Sequence, residues 1–262
     1  MKYFIRLSYN GAMFSGWQKQ NNACSIQQEL EKAFATLLKE EIKIVGAGRT
    51  DRGVNAINYI AHIQADSPMP VKGRTKRQFI YKINAILPTS IVVHNIFLVD
   101  DKAHARFDAI ERTYNYFIHL SPDPFTDRFS LFVKGELDFE AMNRAAQYFI
   151  GRHDFKSLQK IGSDNKTTIC TVTEAYWKKY RNSIPFNSSE NRERYCFVVS
   201  ADRFLRNMVR AMVGSLLEVG QGKRPVEWIQ QMLKEQDRSA AGMSVPGNPL
   251  FLTNIKYPYK IK

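Results

Sequence analysis

The order of the strand-like and helix-like segments limits most strongly what this chain can fold into. In the first hundred residues, apolar periodicity and turn residues predict a strand, a helix, two strands, a helix and a strand. The expected strands cover residues 3–9, two apolar-rich stretches within 42–65, and 91–99. The first expected helix follows Ser25, which forms a capping box with Gln28. The second covers 75–86 and ends ahead of Pro88.

The second half of the chain repeats this order. The expected segments are a strand at 112–120, a helix capped by Asp138 and closed by Gly151, strands at 171–180 and 194–201, a helix at 203–219, a shorter helix opened by Pro225, and a strand at 251–257. The polar segment 181–193 is expected to be a loop between the two central strands.

Two βαββαβ halves predict an α+β protein made of two ferredoxin-like units, with mixed, mainly antiparallel sheets and flanking helices. Hydrophobic residues make up 44% of the 262 residues, which is enough for a sizeable packed core. We expect an N-terminal α+β domain at 1–104 and a C-terminal α+β domain at 105–262.

The charge of the chain favours an anionic partner. It has 38 Lys and Arg against 25 Asp and Glu, a formal net charge of +13. Basic side chains that neutralise phosphates release condensed counterions, so nucleic acid is the leading candidate. On charge alone, a surface that merely keeps the protein in solution explains the surplus equally well.

Several classes of protein are disfavoured by composition and spacing. The three cysteines form no CxxC pair, and the five histidines show no HxH or HExxH spacing, so neither a disulfide framework nor a metal site is predicted. No segment has the length of apolar sequence that a signal peptide or a membrane span needs. We therefore expect a cytoplasmic protein with no membrane contact.

The segment 46–56, GAGRTDRGVNA, combines unusual choices of residue. Its three glycines permit a tight loop and a close approach of the backbone to a ligand. Between them, Asp51 stands between Arg49 and Arg52, whose charges favour the ionised carboxylate at neutral pH. Such a carboxylate can act as a nucleophile. An Asp that only caps the loop or pairs with its arginines explains the residues as well, and from residue chemistry alone is the commoner case.

Five stretches in this chain resemble, in the same order, motifs of the TruA family of tRNA pseudouridine synthases. They are YNGAMFSGWQKQ at 9–20, GAGRTDRGVNA at 46–56 against the family's GRTDxGVH, HARFDAIERTYNY at 104–116, RHDFKSL at 152–158, and FLRNMVRAMVGSLLEVG at 204–220. The resemblance extends over nearly the whole chain.

This resemblance implies a pseudouridine synthase fold and a tRNA-modifying enzyme. The family isomerises uridine to pseudouridine in the anticodon stem-loop, at uridines 38 to 40 of the tRNA, without a cofactor. Asp51 would be the nucleophile, and the target uridine would be flipped out of the stack. The family also implies a homodimer on tRNA. Whether the carboxylate attacks the base or the ribose stays open.

The resemblance also assigns roles to two residues of the C-terminal half. Tyr114 matches the active-site tyrosine, which can stack on a flipped uracil. A core aromatic is the ordinary alternative, and Tyr116 lies on the same strand face. Arg210 matches the arginine that pairs with the catalytic carboxylate, a bidentate role that lysine cannot reproduce.

Other basic residues are assigned to substrate binding with less specific support. Arg203 and Arg206 recur with Arg210 at i, i+3 and i+7 and are expected to lie along one face of the helix at 203–219, with a solvated basic stripe as the equal alternative. His104 and Arg106 are expected to contact phosphate or loop nucleotides, and Arg49 is expected to bind substrate beside Asp51. Trp17 either supports the site or meets RNA. A basic run could follow the tRNA backbone or simply be a solvated face: Lys72, Arg74, Lys76 and Arg77.

Four positions depart from the family's pattern. Asn10 replaces the usual Asp, Asn55 the usual His and Cys170 a common Arg, and Asn248 interrupts a segment that is normally small and glycine-rich. None of these departures falls on Asp51, Tyr114 or Arg210, so the expected activity is unchanged. They affect only the expected tRNA preference and some contacts.

A non-catalytic RNA-binding protein or RNA chaperone on the same scaffold is the main alternative, since charge and aromatic content suit it equally well. A carboxylate between arginines in a glycine loop has no purpose in such a protein. Nucleotide-dependent enzymes are disfavoured because the chain has neither GxxxxGK[ST] nor a GxGxxG after its first strand.

Overall fold

The computed structural model describes residues 1–163, 166–180 and 193–261. Within these residues the chain forms ten strands and five α-helices. They fall into two compact units, Met1–Arg112 with Leu252–Lys262, and Thr113–Phe251. The predicted loop at 181–193 lies outside the described residues except for residue 193.

The first unit has the predicted βαββαβ order. Its elements are β1 (Lys2–Tyr9), α1 (Ile26–Leu38), β2 (Ile44–Gly46), β3 (Asn55–Gln64), α2 (Gly73–Ile86) and β4 (Ile91–Val99). The strand order is β4-β1-β3 with β2 also on β3, and each of these pairs is antiparallel. This is the arrangement of a ferredoxin-like unit.

Local sequence signals set the ends of the two helices in this unit. The Ser25 hydroxyl accepts a hydrogen bond from the backbone N–H of Gln28 at 3.3 Å, which confirms the predicted cap of α1. Helix α2 ends at Ile86, and Leu87 is already extended ahead of Pro88. The apolar face of α1 is buried, as its periodicity predicts: Ile26, Leu30, Ala33 and Phe34.

The second unit repeats the order with additions. Its elements are β5 (Glu111–His119), β6 (Leu131–Phe132), α3 (Phe139–Gln147), β7 (Gly151–Asp154), β8 (Ile169–Lys179), β9 (Arg194–Ala201), α4 (Met208–Gly220), α5 (Trp228–Glu235) and the start of β10 (Leu250–Lys256). The strand order is β5-β9-β8-β7, and β6 pairs with β5 in parallel. The prediction of mixed, mainly antiparallel α+β structure is confirmed.

Two helix boundaries in this unit were predicted wrongly. Helix α3 is capped by Asp138 as expected, but it ends at Gln147, and Gly151 instead begins β7 with φ +108°. Helix α4 begins at Met208 and not at Arg203, because Asn207 adopts a left-handed conformation with φ +71° that interrupts a helix. Arg203 and Arg206 therefore do not share a helix face with Arg210.

The core of the second unit forms around α4. The face predicted to be apolar is buried: Val209, Met212, Val213, Leu216 and Leu217. Ser215, on the same helix, satisfies its hydroxyl through the backbone carbonyl of Ala211 at 2.9 Å. None of the helices in the described part of the chain has the length and apolar character to cross a bilayer.

Candidate active site

Asp51 lies in the connection between β2 and β3, which we call the Asp51 loop (residues 47–54). Asp51 is half-buried, whereas Arg49 and Arg52 are exposed. The backbone N–H of Val54 donates to the carbonyl of Asp51 at 3.2 Å and closes a tight turn. Gly53 has φ +79°, a conformation that glycine adopts without strain. The loop thus presents one carboxylate from a turn of defined geometry.

The segment that carries the YNG…GW motif holds this loop in place. The Tyr9 and Thr50 hydroxyls form a buried hydrogen bond of 2.9 Å, and the backbone N–H of Trp17 donates to the Thr50 carbonyl at 3.2 Å. The N–H of Gly11 donates to the Asn55 side-chain oxygen at 2.9 Å. The residues on either side of Asp51 are therefore fixed by buried hydrogen bonds from one neighbouring segment.

An aromatic cluster of Tyr9, Trp17 and Tyr59 contacts the start of the loop. The Trp17 and Tyr59 ring centroids are 4.3 Å apart, and Tyr9 meets Tyr59 edge-on at 5.5 Å. The Tyr59 hydroxyl donates to the carbonyl of Gly48. Trp17 is only 3% exposed, so of its two predicted roles the structure supports the first, support of the site.

Glycines let the backbones approach this closely. A Cβ on Gly46 would lie 2.1 Å from the Tyr59 hydroxyl oxygen and 2.5 Å from the Trp17 ring. A Cβ on Gly11 would lie 2.1 Å from the Val54 carbonyl oxygen, and one on Gly16 would lie 2.4 Å from that of Thr50. By contrast, Gly48 has no atom within 4 Å of such a Cβ. Gly11 and Gly16 are thus required by packing against the loop, and Gly46 by packing against Tyr59 and Trp17.

Arg112 is a residue that sequence reasoning placed only at the start of a strand. Its guanidinium donates to the carbonyl oxygen of Ala47 at 2.9 Å, of Arg106 at 2.6 Å and of Ala109 at 2.7 Å. One side chain therefore ties the first residue of the Asp51 loop to the segment that precedes β5. The arginine inside the HARF…RTY motif was the available signal.

His104 and Arg106 belong to a turn at 104–108. The His104 Nδ1 accepts the backbone N–H groups of Arg106 and Phe107, both at 3.1 Å, and the N–H of His104 donates to Asp108 at 2.8 Å. Burial lowers the pKa of His104 below its ordinary value, which favours the neutral ring that accepts these bonds. Arg106 is exposed. The expected phosphate contacts of both residues stay predictions.

The same turn is fixed from beneath by His62 on β3. The His62 Nδ1 accepts the N–H of Ala105 at 3.1 Å, and the Tyr257 hydroxyl donates to the Ala105 carbonyl at 2.6 Å. Burial, and then the proximity of His104 and Lys2, lowers the pKa of His62 to about 4. The turn is therefore a rigid part of the first unit.

In the second unit, the two tyrosines of β5 have different surroundings. Tyr116 is fully buried, and its hydroxyl donates to the Pro246 carbonyl at 3.1 Å, so it is a core residue. Tyr114 retains 9% of its surface, and its ring meets Phe204 edge-on at 5.1 Å. Both rings are buried, so the role of Tyr114 at the site stays a prediction.

Arg210 lies in the first turn of α4 and is half-buried. Its Nε donates to the Val245 carbonyl at 2.7 Å, and the Val245 N–H donates to the Arg210 carbonyl at 3.2 Å. Arg203 and Arg206 lie in the turn ahead of the helix, where Arg203 is half-buried and Arg206 exposed. A role of these two in substrate binding stays a prediction, without the shared helix face that suggested it.

The basic run ahead of and within α2 is mostly solvent-exposed. Lys72, Arg74 and Arg77 are exposed, whereas the Lys76 ammonium lies 5.2 Å from the centre of the Phe97 ring. Burial lowers the pKa of Lys76. Three of the four residues are thus available to an anionic partner, and the fourth is engaged by the protein.

The four departures from the family pattern have local structural roles. Asn10 caps a turn by accepting the N–H of Ala12 at 3.0 Å, and Asn55 accepts that of Gly11 as described. Asn248 donates to the carbonyls of Asp127 at 3.3 Å and Arg128 at 3.2 Å. Cys170 is fully buried, and burial raises the pKa of its thiol to about 12. Among the described residues, no group of metal-ligating side chains could hold an ion.

Comparison with known proteins identifies the class of this molecule. Residues 145–258 match the family model described as tRNA pseudouridine synthase. The tRNA pseudouridine synthase A of Bacteroides thetaiotaomicron is 42% identical over 99% of this chain and 92% of its own length. That of Bacteroides fragilis is 42% identical over 99% and 98%, and that of Porphyromonas gingivalis is 41% identical over 98% and 97%. These matches define a pseudouridine synthase.

The chain belongs to the tRNA pseudouridine synthase A family, and it is an enzyme of the isomerase class. The family resemblance of its motifs is thereby confirmed.

Proposed function

We propose that this protein isomerises uridine to pseudouridine in the anticodon stem-loop of tRNA, with Asp51 as the nucleophile. The observation that carries the proposal is the Asp51 loop. Its neighbouring residues are held by buried hydrogen bonds, while Asp51 itself stays half-exposed between two exposed arginines. A loop that merely closed a hairpin would need neither a carboxylate at its tip nor Gly11 and Gly16 of a neighbouring segment packed against its backbone.

The proposed reaction needs no cofactor because its atoms and electrons balance within the substrate. The carboxylate of Asp51 attacks the flipped-out nucleotide, and the bond between the ribose C1′ and the uracil N1 breaks. The uracil then rotates and forms a new bond from its C5 to C1′, after which C5 loses a proton and N1 gains one. If the carboxylate attacks C1′, its bond to C1′ breaks as the C5–C1′ bond forms; if it attacks the base, its bond to the base breaks by elimination afterwards. Flipping exposes the target base to the loop.

Residues of both units supply the remaining proposed roles. Tyr114 would stack on the flipped uracil, where one base stacked on an aromatic ring contributes about 1–3 kcal/mol. Arg210 would stabilise the ionised carboxylate, since a guanidinium presents fixed donors to two carboxylate oxygens. Arg49, Arg106, Arg203 and Arg206 would contact the RNA backbone, together with His104. These roles are supported by the motif resemblance and by the positions of the side chains within each unit.

The proposed partner is tRNA, because a formal net charge of +13 favours binding to a polyanion. Affinity should therefore fall steeply as salt is raised, and a complex that tolerates salt would count against phosphate contacts. We also propose a cytoplasmic homodimer, and this part rests on the family resemblance. Sedimentation of the protein alone and with tRNA gives the number of subunits.

Conversion of uridine to pseudouridine in unmodified tRNA transcripts tests the proposal. The wild-type protein, without added cofactor, is expected to form product in the anticodon stem-loop, and Asp51→Ala is expected to form none. The matched control is Asp66→Ala, which removes an exposed carboxylate from the same unit and should leave turnover unchanged. Tight tRNA binding by Asp51→Ala should persist.

Two results would contradict this assignment. Product formed by Asp51→Ala at the wild-type rate would show that another group is the nucleophile. Binding across a panel of tRNAs with no product from the wild-type protein would favour the non-catalytic RNA chaperone, and Asp51 would then be a loop residue only.

A further inference from the structure

Phe107 is an exposed aromatic residue that is nevertheless held rigidly. It retains 76% of its surface, although its backbone N–H is bound to the His104 Nδ1 at 3.1 Å. One face of its ring lies on the His104 imidazole, with centroids 4.2 Å apart and planes 26° from parallel. Because His104 is itself fixed in the turn, the ring stands on a firm support with most of its surface open to solvent.

The neighbour of this ring is cationic. The Arg106 guanidinium lies 5.8 Å from the centre of the Phe107 ring, and Arg106 is exposed. An open aromatic surface beside a guanidinium is the combination with which proteins bind unpaired nucleotides, the ring by stacking and the cation through phosphate. A purely apolar protein partner would gain nothing from burying the charge of Arg106.

The position of Phe107 relative to the Asp51 loop follows from Arg112. A single nitrogen of its guanidinium, Nη2, donates both to the Ala47 carbonyl at 2.9 Å and to the Arg106 carbonyl at 2.6 Å. The backbone at 106 is therefore an immediate neighbour of the start of the Asp51 loop, within the same unit. The turn that carries Phe107 and the start of the Asp51 loop are therefore joined by a single side chain.

We propose that Phe107 is a stacking platform for an unpaired nucleobase of the RNA substrate, close to the uridine that is isomerised. This inference rests on the proposed function. Stacking of this kind accepts any base, because each has a flat π surface, so it would contribute affinity and placement without strict sequence preference. Neither the motif assignments nor the reaction itself requires Phe107.

Replacement of Phe107 by residues of different shape provides the test. Phe107→Leu keeps an apolar side chain but removes the flat ring, and kcat/KM on an unmodified tRNA transcript should fall about 5- to 150-fold. Phe107→Trp keeps a larger stacking surface and should stay within about threefold of the wild type. Phe125→Leu is the control, since Phe125 is 75% exposed on the other unit, and its effect should be within about twofold.

A binding measurement separates placement of the RNA from chemistry. In an Asp51→Ala background, Phe107→Leu should raise the Kd for tRNA by a factor similar to the loss in kcat/KM, and Phe107→Trp should not. Thermal unfolding should be unchanged in each variant, because the side chain is exposed. Wild-type activity in the same assay shows that the proposed function itself holds. If Phe107→Leu then has no effect, only the role proposed for Phe107 is contradicted.

Two results would overturn the inference. If Phe107→Leu turns over and binds tRNA as the wild type does, the ring does not stack on the substrate. If Phe107→Leu and Phe107→Ala instead shift the mass of the protein in solution from dimer to monomer, the exposed ring belongs to an interface between two copies of the chain.

Discussion

Each unit has a closely packed glycine near a proposed site residue, but different atoms crowd the two glycines. In the first unit, the Asp51 loop begins after Gly46, whose missing Cβ leaves room for the Tyr59 hydroxyl and the Trp17 ring. In the second unit, the helix that carries Arg210 contains Gly214, where a Cβ would lie 1.8 Å from the backbone carbonyl oxygen of Met243. The first glycine is crowded by side chains and the second by the main chain.

This difference predicts different tolerance to change. Side chains can rotate or shift by a small distance, and the protein then loses packing and a hydrogen bond. A backbone carbonyl moves only with the segment that contains it, here residues that are also bound to Arg210 and Ser215. The N–H of Gly242 donates to the Ser215 hydroxyl at 3.0 Å, and Val245 is bound to Arg210 on both sides. An added methyl group should therefore be tolerated less well at Gly214 than at Gly46.

The largest effect is expected for Gly214→Ala. The added methyl group must displace the main chain at Met243, so we expect the free energy of unfolding to fall by about 3 kcal/mol, the upper end for overpacking. Urea unfolding of the full chain measures it. Gly48→Ala is the control, because nothing lies within 4 Å of its Cβ, and it should change stability by less than about 0.5 kcal/mol. A Gly214→Ala variant as stable as the control would show that the segment 242–246 adapts easily.

Arg210→Lys tests whether the helix delivers a charge or a shaped pair of donors. The Arg210 Nε donates to the Val245 carbonyl at 2.7 Å, and the guanidinium carries two further terminal nitrogens, whereas lysine has a single nitrogen. We expect kcat/KM to fall about 100-fold, or about 2.7 kcal/mol, with kcat carrying most of the loss. Arg206→Lys, in the exposed turn ahead of the helix, should stay within about twofold. Equal effects at both positions would reduce Arg210 to one basic residue among several.

Gly46→Ala should have a smaller effect than Gly214→Ala. Tyr59 and Trp17 must shift, so we expect a loss of about 1–2 kcal/mol in unfolding free energy and a slower reaction. The double variant Gly46→Ala with Tyr59→Phe removes the nearest crowding oxygen, which would lie 2.1 Å from the added carbon if the backbone did not move. It should recover part of the stability lost by Gly46→Ala. Additive losses in the double variant would mean that the Tyr59 hydroxyl is not the atom that resists the methyl group.

Much of the fold could be predicted because its signals are local. Periodicity and capping residues predict α1, α3 and the buried face of α4, since each depends on residues within a few turns of the helix. The repeated βαββαβ order then leaves few arrangements, because connections are short and sequential elements pack together. Motif resemblance likewise identified Trp17 and the motif glycines, whose purpose becomes clear only from packing.

What could not be predicted depends on residues far apart in sequence. The start of α4 moved to Met208 because Asn207 takes a left-handed conformation, and its amide is hydrogen-bonded to Ser244. The short strands β6 and β7 have too few residues to show a periodicity. Arg112 read as an ordinary strand residue, since its partners at 47, 106 and 109 are brought together only by the fold.

The smallest change in stability at neutral pH is expected for replacement of His62, whose side chain supports the turn at 104–108 in the first unit. Its pKa of about 4 lies below the ordinary 6.5, so below pH 6.5 the unfolded chain binds a proton that the folded chain does not. Stability should therefore fall as pH decreases from about 6.5 to about 4, by about 3 kcal/mol in total from this residue. His62→Asn keeps an acceptor for the Ala105 N–H and cannot titrate, so its stability should fall less steeply over the same range. Urea unfolding at several pH values compares the two slopes, and parallel slopes would show that folding does not lower the pKa of His62.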